Sequence, residues 1–91
     1  MAAELGNSEA QCILGDMYSR GEGVPRNLVQ AQAWFYVASA YGSETAWTRK
    51  TDGQEEMTSE QLNAASKLSQ KIKKRLWEKS KSEAIHFNGP H

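Results

Sequence analysis

Four groups of residues have types and spacings that invite a chemical reading. Cys12 is the single cysteine of the 91-residue chain. No histidine stands near it in sequence to activate the thiol, so it reads as a partly buried, inert side chain. His86 and His91 lie at the end of the chain without a Cys or His at ligand spacing, so they offer no metal site. Gly21-Glu22-Gly23 follows a helical stretch and lacks a Lys-Ser/Thr ending, which excludes a phosphate loop. Lys67, Lys71, Lys74 and Arg75 form the one extended cationic row, with Lys73, Lys79 and Lys81 nearby. Carboxylates are scattered singly on polar faces. No nucleophile–base pair emerges, so the sequence predicts a protein that is not an enzyme and needs no cofactor.

The charges are unevenly spread. Residues 1–60 hold nine acids against four bases, and residues 61–91 hold seven bases against two acids. The basic end raises a nucleic-acid or membrane-surface reading, in which Lys67, Lys71, Lys74 and Arg75 would meet phosphates and Trp77 would stack or sit at an interface. Against it, lysines near a helix C-terminus complement the macrodipole and are the ordinary residues of a solvated face. Nucleic acid is therefore the lesser reading. One cysteine permits no intrachain disulfide and fits a reducing, cytoplasmic setting. Met1-Ala2-Ala3-Glu4 has neither the basic start nor the apolar stretch of a signal peptide. No apolar run approaches the roughly 18–20 residues of a membrane span.

The elements that must position these residues are all helical. Ala10, Ile13, Leu14, Met17 and Tyr18 make one stripe over 8–19, with Ser8 and Gln11 as a capping box. Gly21, Gly23 and Pro25 end that helix. Asn27 caps a second one, with Gln30 at the reciprocal position. It carries two apolar faces: Leu28, Ala31, Trp34, Phe35, Ala38 and Tyr41 on one, and Val29, Ala33, Tyr36 and Ala40 on the other. Such a helix must be covered on both sides. Residues 44–52 predict a short third helix stopped by Gly53. Thr58 and Gln61 form a further capping box, and Leu62, Ala65, Leu68, Ile72 and Leu76 stripe a long helix to about Ser82.

A shift of 36 residues aligns Ala2 with Ala38, Gly6 with Gly42 and Ala10 with Ala46. Ala10-Gln11-Cys12-Ile13-Leu14-Gly15-Asp16-Met17-Tyr18-Ser19-Arg20-Gly21-Glu22-Gly23-Val24-Pro25 resembles the first helix and turn of a Sel-one-like repeat, a relative of the tetratricopeptide repeats. Ala31-Gln32-Ala33-Trp34-Phe35-Tyr36-Val37-Ala38-Ser39-Ala40-Tyr41-Gly42 resembles its second helix. The likeness covers about residues 2–46. It implies an all-α fold, a short α-solenoid of antiparallel helix pairs: residues 2–7 end a preceding repeat, and 8–42 form a complete one. Residues 44–83 would be a degenerate repeat, a terminating short helix and a long capping helix like those that close some bacterial members, with 84–91 as a tail. The whole of 1–83 is then one helical-repeat domain at the C-terminal end of such a protein.

The resemblance also implies a function. First helices of successive repeats line a concave groove that takes peptides or other proteins. Carried over by position, the groove row is Glu9, Cys12, Asp16 and Ser19. Adding 36 gives Thr45, Thr48, Asp52 and Glu55. The expected role is a non-enzymatic scaffold for a basic or polar protein partner, with self-association where the apolar surface near Ala10, Ile13 and Tyr18 lacks a neighbour.

Overall fold

The structure, a computed structural model, describes residues 7–87, and the side chains of 7–79. Residues 2–6 of the expected end of a preceding repeat (2–7), and the last residues, 88–91, lie outside that range. The fold is all-helical: α1 spans Ser8–Arg20, α2 Leu28–Ala40, α3 Glu44–Glu56 and α4 Ser59–Phe87. No strand occurs among the described residues.

Each start is set by a side chain that satisfies an orphan backbone N–H. The N-cap of α1 is Asn7, whose Oδ1 accepts from Ala10 N at 2.9 Å. Ser8 is therefore the first helical residue and not the cap. Asn27 Oδ1 accepts from Gln30 N at 3.0 Å, while its own N–H donates to the Tyr18 carbonyl at 2.9 Å and pins the turn to α1. Ser43 caps α3 through Ala46 N. At α4 the capping box is complete: Gln61 N donates to Thr58 Oγ1, and Thr58 N donates to Gln61 Oε1. Helix α1 ends at Gly21, whose φ of 72° lets its N–H and that of Glu22 both reach the Met17 carbonyl.

Two boundaries differ from expectation. Gly53 does not stop α3, which runs on to Glu56; the glycine instead permits a close approach to α2. A Cβ there would collide with the Gln32 amide. Helix α4 passes Ser82 and reaches Phe87, since no glycine or proline interrupts it before Gly89-Pro90. The residues expected to begin the tail at 84 are thus helical as far as 87.

Helix α2 is the hub, with α1, α3 and α4 all packed against it. Its buried residues are Ala31, Gln32, Ala33, Phe35, Val37 and Ala38, so cover comes from more directions than two. Gly15 of α1 sits directly on the Phe35 ring; a Cβ there would lie 2.5 Å from Phe35 Cε1 and 3.2 Å from the Ala31 carbonyl oxygen. Cys12, Ala31, Phe35, Ala38 and Ala46 form the core cluster, with Tyr18 packed at its edge. On α4 the stripe holds, with Ala65 and Leu76 buried and Leu62, Leu68 and Ile72 half-buried; Ser69 joins it as a small residue at the contact.

The apolar stripe read for α1 is rotated. Ile13 is 53% exposed, whereas Gln11, Cys12, Leu14 and Gly15 are buried. The hub helix selects the face that permits the closest approach, and that face carries Gly15.

Candidate functional site: the α1–α3 clefts

The 36-residue spacing found in the sequence recurs in the caps. Asn7 and Ser43 stand 36 positions apart and each holds the N–H of an alanine, Ala10 and Ala46. Helices α1 and α3 therefore start in equivalent phase, and each has 13 residues. Side chains from both wall two adjoining clefts.

The first cleft, about 230 Å³, has Asp16 and Ser19 on the α1 side and Arg49, Asp52 and Glu56 on the α3 side. Leu28, Ala31, Gln32 and Phe35 of α2 contribute to its lining, with Met57 beside them. The second is lined by Glu9, Cys12 and Asp16 together with Ser43 and Thr45. Asp16 belongs to both. Its Oδ1 lies 2.9 Å from Arg49 Nε, an ion pair that bridges α1 and α3 with side chains 23% and 39% exposed. At that exposure the pair contributes at most about 1 kcal/mol. The contact draws the guanidinium toward α1, although its Nε makes no well-directed hydrogen bond.

Of the residues expected to face a partner, Glu9, Asp16, Ser19 and Asp52 are brought together here, as is Thr45. Cys12 lines the second cleft as well, but at 6% exposure it belongs mainly to the core cluster with Ala46 and offers a partner little surface. Thr48 is exposed and hydrogen-bonded to the carbonyl of its own Glu44; like Glu55, it lines neither cleft. The α3 row is instead Thr45, Arg49, Asp52 and Glu56, at i, i+4, i+7 and i+11. Transferring the α1 spacing by a fixed offset missed Arg49 and Glu56, although the i+4 step is equally a same-face step on a helix. Gln32 was also missed. It is buried at 2% exposure, and its Nε2 donates to the Lys50 carbonyl at 2.8 Å, tying α2 to α3.

Neither a comparison with models of known protein families nor one with curated proteins finds a match for this chain.

The cationic row of α4 is divided. Lys67, Lys71, Lys74 and Arg75 are all exposed, but only Lys71 and Arg75 border the cleft that α4 forms with α1 and α2. Among the described residues no helix is long and apolar enough to cross a membrane, and no group of three or more His, Cys, Asp or Glu could hold a metal ion. His91 and the His86 side chain lie outside the described set.

The α1–α3 surface has a definite chemical character. Among the described lining residues, Glu9, Asp16, Asp52 and Glu56 outnumber the single cation Arg49, over a floor that includes Phe35 and Leu28. Carboxylates above an apolar floor suit a lysine or arginine side chain, whose stem packs while its head pairs.

Proposed function

We propose that this chain is a non-enzymatic helical interaction module, the closing end of an α-solenoid of the Sel-one-like kind, which holds a basic or polar segment of a partner protein along α1 and α3. The observation that carries the reading is the shared lining of two clefts by equivalent helices that begin 36 residues apart. Antiparallel pairing of α1 with α2, and membership of that repeat family, are part of the same proposal. The supporting features are the matched caps, the glycine-rich turn and the Gly15–Phe35 contact.

Fluorescence anisotropy with labelled peptides of about ten residues tests it. Lysine- and arginine-containing peptides are expected to bind, with affinity falling at least about tenfold in a Asp52→Lys/Glu56→Lys variant whose helicity is unchanged. Equal binding of acidic and basic peptides, or no effect of the variant, would overturn the assignment of this face.

A phosphate-binding role for α4 is the rival reading, favoured by the exposure of Lys67, Lys71, Lys74 and Arg75. A duplex or single-stranded oligonucleotide probe at low salt decides between them, because counterion release makes such binding fall steeply as salt rises. Self-association also belongs to the proposal, since Ile13 remains exposed on α1. Light scattering after gel filtration should then show a mass that rises with concentration.

A further inference from the structure

A third cleft, of about 500 Å³, lies where α1, α2 and α4 meet. Leu14, Met17 and Tyr18 line it from α1, Trp34 from α2, and Leu68 and Ile72 from α4. Met17, Tyr18, Trp34, Leu68 and Ile72 are all half-buried, so the cleft keeps accessible apolar surface from three helices. Among the described residues its charged lining is Lys71 and Arg75, four positions apart on one wall, and no carboxylate lines it.

We propose that this cleft is a docking surface, separate from the α1–α3 face, for an acidic amphipathic helix of a partner protein. Leu14, Met17 and Tyr18 on one wall, and Leu68, Lys71, Ile72 and Arg75 on the other, each follow helical spacing over one to two turns. A helix inserted between them places apolar residues at i, i+3, i+4 and i+7 against Trp34. Its carboxylates, one turn apart along the α4 side, meet Lys71 and Arg75 in charge-assisted pairs. A second copy of this chain is a poor occupant. Its acidic helix, α3, buries Ala46 against α2 and shows Trp47 as its one exposed large apolar side chain, so it has no free apolar stripe to insert. A flat bilayer does not enter a concave site.

Trp34 reports on occupancy once Trp47→Phe and Trp77→Phe remove the two exposed indoles. The probe is a synthetic 16-residue helix with leucines at i, i+3, i+4 and i+7 and glutamates along one flank. The expected result is a saturable blue shift of Trp34 emission, weakened at least tenfold by Lys71→Glu/Arg75→Glu and unchanged by Asp52→Lys/Glu56→Lys. All four of those substituted positions are exposed, and circular dichroism verifies that the helices persist. The proposal fails if the same peptide with lysines in place of glutamates binds equally well, if Lys71→Glu/Arg75→Glu leaves binding intact, or if no saturable shift appears. It also fails if the blue shift arises without peptide as the chain's own concentration rises, which would make a second copy the occupant.

Discussion

Helices α1 and α3 begin in the same phase 36 residues apart, yet they meet α2 by different physics. Helix α1 approaches through a glycine: Gly15 lies on the Phe35 ring, a contact of carbon on carbon with no room for a methyl group. Helix α3 also approaches through a glycine, but Gly53 faces an amide, and Gln32 spans the gap to the Lys50 carbonyl. The connections differ as well. Seven residues with two left-handed glycines join α1 to α2, whereas only Met57 and Thr58 separate α3 from α4. The first pair is closed by apolar packing and a shaped turn. The second start is held by a hydrogen bond and leads into a helix that leans on α2. Equal starting phase therefore does not impose equal packing; the side chains at the contact decide it.

Substitutions can break this comparison. Phe35→Ala removes the ring beneath α1 and opens a core cavity, with an expected loss of about 3–5 kcal/mol. In a domain this small, a thermal melt should then show a transition tens of degrees lower or none at all.

Gly15→Ala gains about 1 kcal/mol of helix propensity but forces a methyl group into a rigid aromatic ring, and overpacking costs about 1–3 kcal/mol. Net destabilisation is expected, visible as a lower urea midpoint. Gly53→Ala meets the flexible end of a side chain rather than a rigid ring, but displacing the buried Gln32 amide gives up its bond to Lys50 at a cost of about 1–3 kcal/mol, partly offset by the gain in propensity. The contrast stands only if Gly15→Ala lowers the midpoint more than Gly53→Ala; the reverse order would sink it.

Thr58→Ala removes one half of the capping box at the short connection, with an expected cost of about 0.5–2 kcal/mol. Hydrogen exchange should locate that loss in the first turn of α4. The smallest effect belongs to Asp16→Asn, which breaks the bridge to Arg49 and should shift stability by less than about 1 kcal/mol. Its readout is salt dependence: the difference from the parent protein should shrink as ionic strength rises.

How far the sequence could be read depended on whether a feature was local. The α4 stripe and its Thr58–Gln61 box were legible because both lie within a few residues along one helix. The Asn27 cap was legible for the same reason. At α1 the apolar letters suggested Ile13 as core, and the structure buries Gln11 and Gly15 instead. Polarity did not decide that face; closeness to Phe35 did. Gly53 looked like a stop signal because a glycine in isolation weakens a helix. Its space is occupied by Gln32, 21 positions earlier, which no local window contains. On the α1–α3 surface, Glu9, Cys12, Asp16, Ser19, Thr45 and Asp52 came from the family resemblance and its 36-residue offset, while Arg49 and Glu56 required knowing how α3 is turned against α2.

What the sequence determined by itself was the helices, the caps at Asn27 and Thr58, and the 36-residue phase of α1 and α3. These rest on interactions between residues three or four apart, which the chain makes wherever it folds. What only the tertiary structure decided was which face of each helix is covered, and so which side chains border the clefts. Those outcomes depend on shape complementarity between residues distant in sequence: Gly15 with Phe35, Gly53 with Gln32, and Asp16 with Arg49.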